Sequence, residues 1–196
     1  MGGAATKIAA LTQDALAAYQ SGDLKRAETL FKKAAGAPTA PAQTAYNFAV
    51  FLRREGRGKE ALYWLDRCLR SVPDHKNAGI ERGLALIDLG QLDQAIDCLH
   101  SFPDDFDALR GLSVAAFKRG HWDKAVTAVQ GLGAQATAED HLLRIRALAE
   151  LDRLDDAEAA GNALGAQRAD LRADISKALT RRSKGRFSLI EHQARA

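Results

Sequence analysis

Four Gly-x4-Ala pairs recur along the chain: Gly22 with Ala27, Gly56 with Ala61, Gly90 with Ala95 and Gly120 with Ala125. Asp152 with Ala157 keeps the spacing without the glycine. The alanines step by 34, 34, 30 and 32 residues. A fixed period in this range marks a stacked array of small supersecondary units, because one such unit cannot bury its apolar face alone. The composition favours helix throughout, with 46% hydrophobic residues, 16 Gly, only 4 Pro and much Ala.

Each unit reads as a helical hairpin. In the second, Ala45, Phe48, Ala49 and Leu52 form an apolar stripe at helical spacing. Gly56 ends that helix, since glycine takes the left-handed conformation without strain. Ala61, Leu65, Cys68 and Leu69 then line one face of a second helix that stops before Pro73. The alanine at a constant offset lets two helices approach closely, which is a packing role. Phe102-Pro103-Asp104-Asp105 and Gly131-Leu132-Gly133 should cut short the second helices of the third and fourth units.

These residues resemble the tetratricopeptide repeat, whose pattern places small residues in the first helix, then Ala-x3-Phe, then Pro. The first unit matches with Leu11, Asp14, Ala15, Ala18, Ala27, Phe31 and Pro38, and the fifth is the most degenerate, with Ile145 where a small residue is usual. The resemblance implies an all-α fold, an α-solenoid of about five hairpins over residues 8–41, 42–75, 76–105, 106–137 and 138–165. A lead of residues 1–7 precedes it. Leu171, Ile175 and Leu179 mark a capping helix over 166–180, with Arg172, Asp174, Ser176 and Lys177 expected outward. Residues 181–196 read as a basic flexible tail, because residues 166–196 hold 8 Lys/Arg against 3 Asp/Glu while the first 165 are near neutral.

Catalytic and metal-binding motifs fail on context. Gly111-Leu112-Ser113-Val114-Ala115 resembles a nucleophile elbow, but Ser113 falls inside a helix where the repeat wants a small residue. Gly131-Leu132-Gly133 follows no strand, so the dinucleotide reading lacks its structural context. Cys68 and Cys98 form no CxxC pattern, and the five histidines, most of them expected at the surface, show no ligand spacing. No cofactor or metal is implied. The start fits an acylation pattern at Gly2, but the composition reads as bacterial, where that modification is not expected. The chain lacks a secretory signal pattern or a membrane span, and a cytoplasmic location is expected.

In the family the first helices line a concave groove. Carried onto this sequence, the groove comprises Gln13, Leu16 and Tyr19; then Tyr46, Asn47, Val50, Arg53 and Arg54; then Ile80, Glu81 and Leu84; then Arg110, Val114, Phe117 and Lys118. Arg146 interrupts the apolar row in the fifth unit. Tyr46, Ile80 and Phe117 are the expected anchors, and Arg53, Arg54, Arg110 and Lys118 the orienting charges. The family's carboxylate clamp is not matched, since Thr12, Leu16, Asn77 and Glu81 stand beside the one fitting residue, Asn47. The resemblance therefore implies a non-enzymatic adaptor that holds a peptide or amphipathic helix of a partner protein, and the capping stripe of Leu171, Ile175 and Leu179 predicts a monomer by itself. The alternatives are a substrate-recruiting module of a transferase, hydroxylase or methyltransferase, and a secretion-type chaperone. Arg181, Arg182, Lys184 and Arg186 would add tail contacts to an acidic partner. Nucleic acid is argued against by the missing basic stripe and stacking platform.

Overall fold

A computed structural model describes residues 2–180. Among them are eleven α-helices, two short 3-10 turns and no strand. Helix contacts divide the chain into two compact units that meet in sequence at Phe102 and Pro103. The first holds three hairpins: α1 (Gly2–Gln20) with α2 (Leu24–Ala35), α3 (Ala42–Arg54) with α4 (Gly58–Ser71), and α5 (Lys76–Asp88) with α6 (Leu92–His100). The second holds two hairpins, α7 (Phe106–Arg119) with α8 (Trp122–Gly131) and α9 (Ala138–Glu150) with α10 (Leu154–Gln167), followed by α11 (Arg172–Thr180).

All five hairpins turn in the same way. Gly22, Gly56, Gly90 and Gly120 have φ between +72° and +88°, and Asp152 takes the same left-handed conformation at +63°. In each turn that residue's N–H reaches back three residues, and the next N–H reaches back five, to the carbonyls of Ala18, Leu52, Leu86, Ala116 and Leu148. This is the Schellman arrangement, which satisfies carbonyls that a helix end would otherwise leave open. The accepting residues are all buried. Five residues after each left-handed residue stands Ala27, Ala61, Ala95, Ala125 or Ala157, each 0% exposed. The helices have no room for a larger side chain there.

Opposite sizes face each other within hairpins. Ala15 stands with Phe31 and Ala49 with Leu65 in shared apolar clusters, and a Cβ on Gly83 would come within 2.5 Å of Leu99. In the fifth hairpin the order is reversed: the large Ile145 is on the first helix and Gly161 on the second. The space left by Gly161 is taken by α11, whose Ile175 lies 2.9 Å from where a Cβ would stand. The irregularity of the last repeat is thus a size exchange that seats the cap.

The first unit's core is aromatic. Phe31 stacks on Phe48 at 5.8 Å and tilts on Phe51 at 5.5 Å, while Tyr19 meets Phe51 edge-on. The second unit's core is aliphatic, built on Leu132, Val129, Ile145 and Leu148. α6 and α8 end early, at His100 and Gly131, as the sequence predicts.

Two boundaries differ from expectation. Residues 2–7 belong to α1, because Ala4 and Ala5 favour helix and Ile8, 5% exposed, anchors it by burial. The cap is shorter than residues 166–180, since α10 continues to Gln167 and Ala169–Leu171 forms a 3-10 turn before α11 begins.

A Cβ at Gly56 meets nothing within 4 Å, so its replacement tests backbone strain alone. Gly56→Ala should lower the unfolding free energy by about 1–2 kcal/mol. Gly56→Asp, the residue type that the fifth turn uses, should lower it by less, as read from urea denaturation.

Candidate functional site

The charged residues expected along a groove divide into two groups. Arg53 on α3 donates to Glu81 of α5 at 2.6 Å and to Asp88 at 3.3 Å. Arg110 on α7 donates from Nε to the Asp140 carboxylate at 3.1 Å and from a terminal nitrogen to the Gln135 carbonyl at 3.0 Å. Asp140, only 4% exposed, also accepts from the Thr137 N–H and hydroxyl, while Thr137 caps α9 in a reciprocal box. Arg53, Glu81 and Arg110 are therefore built into seams between neighbouring hairpins and cannot serve as free orienting charges. Arg57 to Glu28 at 2.6 Å and Arg82 to Asp66 at 2.9 Å make two further seams in the first unit. Burial alone would lower the Arg53 guanidinium, but the hydrogen bond and charge of Glu81, and then those of Asp88, together hold it above its ordinary value.

Ile80 is also removed from the expected set, being 5% exposed. Leu84 is half-buried and Gln13 is exposed on α1.

The remaining residues gather in two hollows. In the first unit Leu16 and Tyr19 of α1 meet Tyr46, Asn47, Val50 and Arg54 of α3 around a cleft of about 250 Å³, with Gln20, Phe31 and Phe51 completing it. Tyr46 also lies tilted against His75 at 5.1 Å, and the His75 Nδ1 caps α5 by accepting the Ala78 N–H at 3.1 Å. Burial, assisted by Glu81, pushes the Tyr46 phenol above its usual pKa. Folding thus favours the neutral phenol, a contribution present below about pH 10 and lost as pH rises further. Tyr46 stays a neutral anchor at physiological pH.

In the second unit Val114, Phe117 and Lys118 of α7 join Leu142, Leu143 and Arg146 of α9 around a hollow of about 430 Å³. Its third wall is α11, through Asp174, Lys177 and Ala178. Asp174 and Lys177 are exposed, as the sequence predicts, but helical spacing does not show that they border this hollow. The available signal was Ala178, three residues after Ile175 and on a neighbouring stripe of the same helix.

Arg181, Arg182, Lys184 and Arg186 lie outside the described residues. Side chains with reactive chemistry are structurally engaged: the Ser113 hydroxyl donates to the Arg110 carbonyl at 2.8 Å, and the Cys98 thiol donates to the Gly79 carbonyl at 3.3 Å. Burial pushes the Cys68 thiol up, which disfavours the nucleophilic thiolate. Among the described residues, no helix is long and apolar enough to cross a membrane.

A family model for the tetratricopeptide repeat matches residues 12–76 and 80–141. The chain belongs to the tetratricopeptide repeat family. Solved structures agree on the fold. A tetratricopeptide repeat protein from Parabacteroides merdae superimposes with a TM-score of 0.74 at 18% identity, covering 89% of this chain and 74% of that one. PilF from Pseudomonas aeruginosa gives 0.71 at 18% identity, covering 87% and 80%. MamA from AMB-1 gives 0.70 at 18% identity, covering 90% and 99%. Comparison with curated proteins returns no match. The tetratricopeptide fold thus supplies a protein-interaction scaffold in general, and the seams explain why its charges are not all free for that task.

Asp140→Ala should leave the Arg110 Nε and the Thr137 N–H without their carboxylate acceptor, at a cost of about 2–3 kcal/mol. Asp88→Ala removes a half-exposed partner from Arg53 and should cost less than about 1 kcal/mol. Urea denaturation of the two variants checks the difference.

Proposed function

We propose that this tetratricopeptide repeat chain is a non-enzymatic cytoplasmic adaptor that holds a peptide segment or amphipathic helix of another protein. The observation that carries the reading is the pair of hollows on first-helix faces, each with an apolar floor and a polar rim. An aromatic anchor seated in such a pocket supplies most of the energy of a peptide complex, while the rim fixes orientation. The first-unit hollow offers Leu16, Val50 and Phe51 as floor, and Tyr19, Tyr46, Asn47 and Arg54 as surrounding contacts. By itself the chain acts as a monomer, with Ile175 and Ala178 of α11 buried over the last hairpin.

The non-enzymatic part of the reading rests on the engaged state of Ser113, Cys68 and Cys98. Recognition falls to half-buried and exposed residues that the seams leave uncommitted.

Tyr46→Ala and Val50→Glu in the full chain should stay folded by circular dichroism and lose partners that the unaltered chain retains in affinity capture. Arg54→Glu should weaken the same partners less. Identical partner sets for folded Val50→Glu and unaltered chain would contradict the proposal.

A further inference from the structure

The two hollows differ in charge. Around the first, Arg54 is accompanied by the neutral polar side chains of Tyr19, Gln20, Tyr46 and Asn47. Around the second stand three cations, Lys118, Arg146 and Lys177, against one carboxylate, Asp174, which lies 3.9 Å from Lys177 on the same helix. Among the described residues, neither Lys118 nor Arg146 forms an ion pair.

Arg146 is also held in place. Its guanidinium carbon sits 4.9 Å from the centre of the Phe117 ring, and its Nε is buried without a hydrogen-bond partner. A cation stacked on an aromatic face is preorganised, so little further ordering is needed when an anion binds. An unmet buried donor is a cost that a carboxylate of an incoming ligand can offset. Below this rim lies an apolar floor of Val114, Phe117, Leu142, Leu143 and Ala178.

Resting on the adaptor reading, we propose that the hollow formed by α7, α9 and α11 selects an acidic peptide segment, one large apolar side chain flanked by Asp or Glu. The apolar side chain fills the floor, and the flanking carboxylates meet Lys118 and Arg146. The chain's own continuation is a poorer occupant, because Arg181, Arg182, Lys184 and Arg186 would bring like charge to a positive rim. The cap helix is thereby a wall of a binding site as well as an end cover.

The test uses the full chain and immobilised short peptides with a central Phe-Leu, flanked by Asp/Glu, by Asn/Gln or by Lys/Arg. Asp/Glu flanks should bind roughly tenfold more tightly than Asn/Gln flanks, with the advantage shrinking as salt is raised. K118E/R146E should reverse the preference toward Lys/Arg flanks, and K25E, on the exposed face of α2 away from both hollows, should leave the Asp/Glu preference intact. If K118E/R146E does not fold by circular dichroism, K118Q/R146Q should abolish the preference.

Binding that ignores the flanks, or an Asp/Glu preference that survives either rim variant, overturns the inference and leaves the adaptor reading standing. Absence of binding that is relieved by replacing Phe187, Leu189 and Ile190 with Ser assigns the hollow to the chain's own tail and overturns it too. No binding under any of these conditions counts against both.

Discussion

The close approach of two helices at a buried alanine is the contact on which each hairpin depends. Ala27, Ala61, Ala95, Ala125 and Ala157 have no exposed surface, and each follows its left-handed residue by five positions. The turn fixes where the second helix starts, and the alanine fixes how near it lies. Together they set which residues of the first helix point into the hairpin. Ala15, Ala49, Gly83, Ser113 and Ile145, at one register of the five first helices, are all buried as a consequence. Residues one position later, Leu16, Val50, Leu84, Val114 and Arg146, remain half-buried. That second row supplies the apolar floor and the stacked arginine of the hollows.

Ion pairs do a different job. The pairs Arg53 with Glu81, Arg82 with Asp66 and Arg57 with Glu28 join elements of successive hairpins in the first unit, and Arg110 with Asp140 does so in the second. Most involve a partly exposed arginine, so each stabilises modestly and chiefly fixes register. Asp140 is the exception, because its burial makes loss of a partner expensive. A chain that uses charges to align its hairpins has fewer left for recognition. Those that remain, Arg54 in one hollow and Lys118, Arg146 and Lys177 in the other, are correspondingly informative.

The fold was legible because its signals are local and repeated. A glycine five residues before an alanine identifies a turn and a close contact without knowledge of the rest of the chain. Asp152 could be read in the same place because aspartate tolerates the left-handed region. The site was less legible for three physical reasons. Helical spacing separates an inward face from an outward one but cannot tell a free arginine from one whose partner lies about 28 residues away, as with Arg53 and Glu81. It could not show that Ile80 is consumed by packing. Nor could the stripe of Ile175 and Leu179 show that the adjacent face, with Lys177 and Ala178, closes a hollow against α7 and α9.

The claim that a buried alanine governs each hairpin is tested most directly by placing the same leucine at two alanines of different surroundings. Ala61 is 0% exposed and shares a cluster with Phe48 and Leu52, whereas Ala17 lies on the exposed face of α1. In urea denaturation, Ala61→Leu should cost about 3 kcal/mol through overpacking, and Ala17→Leu should change stability by no more than about 0.5 kcal/mol. Equal and small effects at the two positions would contradict the account, because they would show that the helices do not need the close contact around which the hairpin is built.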